Sequence, residues 1–113
     1  TAIPNQHFKF EGKYLPSYCF LFEVEGKKLL FTGDLRNDLA DLPIDAAKDA
    51  DLVLCEFTHY VLSRHYDIFQ KIKPGKLVFN HVATRNEKLF PDFVKVIDYP
   101  AVIANDGDVF EIK

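Results

Sequence analysis

Methionine and tryptophan are absent from this chain, and cysteine and glycine are scarce, at two and five residues in 113. Thr1 stands where a natural chain normally starts with methionine, so the expectation is processing or a segment cut from a longer protein. Two cysteines cannot build a disulfide framework, and no CxxC pair supplies a zinc ribbon. Cys19 and Cys55 both sit inside apolar runs, which predicts buried thiols and fits a reducing, cytoplasmic location. No apolar stretch approaches the roughly 20 residues that span a bilayer, so no membrane association is expected. No polybasic run exists and the net charge is −3. Nucleic-acid binding rests on phosphate neutralisation, so a small-molecule substrate is favoured over nucleic acid. Repeats, low-complexity tracts and linkers are also missing, and residues 1–113 read as a single domain.

What remains is rich in β formers and aromatics, with 11 phenylalanines and five tyrosines. Tyr18 to Val24 reads as a strand, Glu25-Gly26 as a turn, and Lys27 to Thr32 as the returning strand of a hairpin. Leu39 to Ala50 has helical spacing, with Pro43 suited to a first turn and Asp41 to a cap. Asp51 to Phe57 is a buried strand, Tyr60 to Ile72 a helix stopped by Pro74-Gly75, and Lys76 to Asn80 a second buried strand ending at His81. Asn86 to Ile97 is a helix with Pro91 disturbing its first turn. Ala101 to Ala104 and Val109 to Ile112 are short strands joined through Asn105-Asp106-Gly107. The order β-β-α-β-α-β-α-β-β predicts an α/β fold, a mixed sheet covered by helices.

The polar residues of interest fall just after strands. Phe31-Thr32-Gly33-Asp34 puts a carboxylate at one strand end, and Val78-Phe79-Asn80-His81 puts an imidazole at another. His7 lies in the opening loop. Sheets of this kind concentrate chemistry at the carboxyl ends of their strands. A carboxylate and imidazoles meeting there suit zinc or another first-row metal, which brings the pKa of bound water toward neutrality.

These stretches, taken in order, resemble the C-terminal half of the metallo-β-lactamase superfamily. Ile3-Pro4-Asn5-Gln6-His7 is similar to its loop histidine segment, and Pro16-Ser17-Tyr18-Cys19-Phe20 to its "SYGF" strand. Gly26-Lys27-Lys28-Leu29-Leu30-Phe31-Thr32-Gly33-Asp34 matches "GKxxxxTGD". Residues 49–58, DADLVLCEFT, match "DADLLIxEAT", residues 76–81, KLVFNH, match "KLVLTH", and residues 104–112 match the closing "A-DG-xxEI". The resemblance covers nearly the whole chain.

It implies half of an αββα sandwich made of two similar halves. Asp34 corresponds to the metal-bridging aspartate, His81 to the last histidine ligand and His7 to the middle one. Two zinc ions are implied, with iron or manganese as alternatives. The implied chemistry is metal-assisted hydrolysis of an ester, lactone, amide or phosphodiester. His59, just beyond a strand end, and His65, six residues further, are the candidate catalytic residues for substrate contact or protonation of a leaving group. Glu56 reads as an anchor for a neighbouring loop, and Arg85 as a surface arginine within reach of an anionic group. The family's HxHxDH motif is absent from these residues. The expected partner is therefore an N-terminal half of the same fold, on another segment or chain. Self-association would be a second way to cover the open sheet face. The competing readings are a non-catalytic pseudo-enzyme or binding subunit, and a nuclease of the same fold.

Overall fold

Apolar residues along the strands place one face of the sheet against helices, and the chain folds accordingly. The computed structural model describes residues 1–4, 9–10, 13–14 and 18–112, the two short pairs by backbone alone. Its strands are β1 (Ala2–Pro4), β2 (Lys9–Phe10), β3 (Lys13–Tyr14), β4 (Tyr18–Val24), β5 (Lys27–Phe31), β6 (Leu52–Phe57), β7 (Leu77–Val82) and β8 (Ala101–Ile103). The helices are α1 (Ile44–Lys48), α2 (Tyr66–Ile72) and α3 (Thr84–Phe93), with a short 3-10 turn at Leu62–Arg64. Six strands form one sheet in the order β1-β4-β5-β6-β7-β8, and β2 and β3 form a separate pair. β1, β4 and β5 pair antiparallel, whereas β5 through β8 pair in parallel. The sheet is mixed, as expected.

Cys19, Leu30, Val53, Cys55, Phe57, Leu77 and Phe79 contribute the strand side of the core. Leu35, Leu39, Leu42, Ala47, Tyr60, Leu62, Phe69, Ile72 and Phe93 belong to the same buried cluster. Phe57 and Phe79 stack with ring centroids 3.9 Å apart, and Phe69, Phe90 and Phe93 meet Phe79 edge-on. α2 and β7 are joined by a tight connection at Gly75. A Cβ there would lie 2.5 Å from the Asp51 carbonyl oxygen, so no other residue fits without moving backbone.

The opposite sheet face is apolar and partly open. Tyr18, Phe20 and Phe22 form a ladder of neighbouring rings along β4, and Phe31 joins it from β5 at 5.2 Å. Phe20 keeps 45% of its surface exposed.

Several elements differ from expectation for identifiable reasons. Strand β1 falls in a segment that reads as a loop; its pairing with β4 is along an edge, where Pro4 is tolerated. The helix expected from Leu39 shrinks to α1. Leu39 has φ 55, and Asp41 accepts the Arg36 N–H at 3.0 Å instead of capping a helix. The helix expected from Tyr60 is broken at His65 (φ −132), leaving the 3-10 turn and α2. α3 starts earlier and ends at Phe93, with Pro91 in its last turn, not its first. Residues 108–112 form no strand. Phe110 and Ile112 instead fold beneath the sheet, lining one pocket with Leu29, Phe31, Leu52, Leu54 and Val78.

Neither cysteine is in a disulfide, and both are buried. The Cys19 thiol donates to the Thr32 carbonyl at 3.1 Å. Burial pushes the Cys55 thiol from its ordinary 9.0 up to about 12. Burial likewise raises the Tyr60 and Tyr99 hydroxyls. The unfolded chain releases these protons at ordinary values, while the folded chain retains them. Their stabilisation is full below the ordinary thiol value and is lost as pH climbs toward the folded one. At about pH 10.5, Cys55 alone should remove about 2 kcal/mol relative to neutral pH, lowering the thermal midpoint by roughly 8 °C. Melts at the two pH values check this, and equal midpoints would contradict a buried Cys55.

Candidate metal centre

Three adjacent parallel strands deliver the site. Asp34 follows β5, His59 follows β6, and His81 lies at the carboxyl end of β7. Gly33 makes the first delivery possible. Its φ is 58 and a Cβ would sit 3.1 Å from the Tyr18 carbonyl oxygen, so the chain turns sharply against β4 and presents Asp34.

His81 is delivered by a bulge. Glu56 pairs with Asn80 and Phe57 pairs with Val82, so His81 is the extra residue. Its φ of 52 is left-handed, uncommon outside glycine, and it re-aims the side chain as bulges at sheet ends do. The Thr58 hydroxyl donates to the His81 carbonyl oxygen and secures the distortion.

The polar ends converge. His81 Nδ1 lies 3.1 Å from Asp34 Oδ1, and His59 Nδ1 lies 3.9 Å from the same oxygen. The two imidazole rings meet edge-to-face with centroids 5.2 Å apart. One ligand atom from each of Asp34, His59 and His81 can be chosen so that all lie within 4.8 Å of one another. Ligand atoms around a tetrahedral zinc ion stand about 3.4 Å apart. The donor set and spacing therefore fit a first-row divalent ion after a small contraction.

Beneath this group lies Glu56, 2% exposed. Its Oε1 accepts the Leu35 N–H at 3.1 Å and faces His59 Nδ1 at 3.0 Å. Its Oε2 accepts the N–H groups of Thr58 (2.6 Å) and His59 (3.1 Å). The carboxylate thus clasps the backbone just after Asp34 to the loop that carries His59. The loop anchoring read from the sequence is present.

A second buried polar residue braces the same loop. Asn86 in α3 accepts the Leu62 N–H at 3.0 Å and donates to the carbonyl oxygens of Phe57 (3.0 Å) and Tyr60 (2.7 Å). Arg85 donates to the Thr58 carbonyl oxygen. Asn86 carries no motif of its own and stands among the polar residues Thr84, Arg85, Glu87 and Lys88, so the sequence pattern does not mark it.

Of the residues singled out from sequence, Asp34, His81 and His59 come together, the last having been read as catalytic. His65 is not in this group. It sits at the start of α2 with its ring edge-on to Tyr60, centroids 5.9 Å apart. His7 lies outside the described residues. Among the described residues, no helix is long and apolar enough to cross a membrane.

No family model and no curated protein matches the chain. Among solved structures, it is similar to the crystal structure of the metallo-beta-lactamase fold protein YhfI from Bacillus subtilis. The TM-score is 0.76 at 18% sequence identity, covering 97% of this chain and 48% of that one. The chain spans about half the length of that structure. With its mixed six-stranded sheet and helices, the protein has the fold of one half of a metallo-β-lactamase domain.

Proposed function

We propose that the chain contributes half of the active site of a metal-dependent hydrolase, with Asp34, His81 and His7 holding metal. One observation carries this reading: the Asp34 carboxylate meets the imidazoles of His59 and His81 within 4.8 Å at the ends of neighbouring strands; His7 is proposed from the family resemblance. Zinc is the favoured ion because this donor set suits it, with iron or manganese as alternatives, and two ions are expected in a complete site. A bound metal would supply a polarised water and stabilise the negative charge that develops on a substrate oxygen. Asp34 and His81 would fix the position of that chemistry. His65 is the imidazole offered for protonating a leaving group. The acidic balance favours a small ester, lactone or amide over a nucleic acid, so a nuclease is the lesser alternative. The buried thiols favour a cytoplasmic setting.

The partner is an N-terminal half of the same fold, on another segment or chain, seated on the face bearing Tyr18, Phe20, Phe22 and Phe31. That open aromatic face is also what favours the second reading, a non-catalytic subunit that binds through it, with self-association as a further use.

Elemental analysis of the chain, co-expressed with such a half, tests the proposal together with hydrolysis of a chromogenic ester and of bis(p-nitrophenyl) phosphate. Metal should copurify, Asp34→Ala should lose it, and the ester should be the better substrate. Metal-free preparations without hydrolysis would leave the binding subunit as the better account.

A further inference from the structure

We propose that His59 is a metal ligand in its own right, completing with Asp34 and His81 a three-ligand site for a divalent first-row ion within this chain. Glu56 is then the positioning residue that orients it. This rests on the metal-dependent reading above but changes the role of His59 from proton donor to ligand.

Glu56 accepts N–H groups from Leu35, Thr58 and His59, so it acts as an acceptor throughout. The His59 Nδ1 opposite Oε1 at 3.0 Å must then be the protonated nitrogen. Its lone pair is left on Nε2. A histidine that gives one N–H to a carboxylate and offers the other nitrogen to a metal is a recurrent arrangement, and the carboxylate raises the basicity of the ligand.

Burial separates this pair from an ordinary surface contact. Glu56 is 2% exposed, whereas His59 and Asp34 reach the surface. A carboxylate is costly to bury, and among the described residues this one bonds to groups that aim the site: the backbone after Asp34, the loop at 58–59 and the His59 ring. The two ends of the clasp lead to two members of the same cluster. The bond to a buried acceptor holds His59 in one orientation. Three ligands with a fourth position left open is the arrangement of catalytic zinc sites.

The test is a titration of cobalt(II) chloride into the purified 113-residue chain, followed by visible ligand-field absorption. Competition with a zinc chelator gives the zinc affinity. The wild-type chain should bind one cobalt ion with the absorption of a four- or five-coordinate site. His59→Ala and His59→Gln should each weaken binding by about 100-fold or more and alter the spectrum, and Glu56→Gln should weaken it by about 10-fold to 100-fold. Circular dichroism melts confirm that each variant is folded, and His59→Gln keeps a polar side chain should the alanine variant fail. If both His59 variants keep wild-type affinity and spectrum while Asp34→Ala loses binding, His59 is not a ligand, and the hydrolase reading stands without it. If the chain alone binds no cobalt, the three-ligand site is overturned. The hydrolase reading is then decided separately, by metal content in the presence of the second half.

Discussion

Asn86→Ala is expected to destabilise the protein by about 3 kcal/mol, a large share of a typical domain's stability. The asparagine is fully buried and its amide is used on both sides. Removing it strands the Leu62 N–H and the Tyr60 carbonyl. The Phe57 carbonyl keeps the Ala83 N–H at 3.1 Å and is not stranded. Burying a donor and an acceptor without partners costs about 1–3 kcal/mol each, and water can reach only part of the space vacated. The damage should be local in form, because the loop that Asn86 braces also carries His59. Urea unfolding gives the measurement: a lower midpoint at unchanged slope is expected. A loss below about 1 kcal/mol would mean that the loop satisfies its own backbone.

Phe79→Ala should cost more, about 4 kcal/mol. Phe79 is fully buried in β7 and touches four other aromatic rings, stacking on Phe57 and meeting Phe69, Phe90 and Phe93 edge-on. Truncation removes the transfer free energy of the ring and leaves a cavity whose walls belong to β6, α2 and α3. They cannot collapse together without pulling the sheet from its helices. Phe79→Leu should cost only a fraction of this, since most of the volume is retained. Calorimetric midpoints of the two variants check the order, and equal losses would argue that ring geometry matters more than volume.

Much of the sheet could be read from residue pattern alone. β4, β5, β6 and β8 fall where β-branched and aromatic residues alternate or run together between turn residues. β7 does too, apart from its bulge. Helices were harder. The periodicity from Tyr60 to Ile72 is continuous, yet the backbone breaks at His65, whose φ is −132. Asn86, distant in sequence, holds the preceding turn through the Leu62 N–H, a contact that local periodicity does not show. The final apolar run failed as a strand for a similar reason. Phe110 and Ile112 gain more by covering the far face of the sheet than by pairing with β8. At the site, Asp34 and His81 were legible as strand-end residues. The closeness of His59 to both was not, because it depends on β6 and β7 being neighbours and on one extra residue in β7. The Glu56-x-x-His59 spacing directly after a buried strand was the available clue.

The bulge at His81 also bears on how the protein folds. Asp34 and His81 are 47 residues apart along the chain, and they meet only when β5, β6 and β7 have all docked in register. Parallel neighbours of this kind are slow to pair, because each crossover must close before any contact rewards it. An unfolded or half-formed chain therefore has no place to hold an ion. A metal that requires these residues binds the finished fold alone and stabilises it by mass action. It also leaves the ascent to the transition state nearly unaided, so its effect falls on the rate of coming apart. A metal held by these residues would therefore be expected to slow unfolding more than it speeds folding.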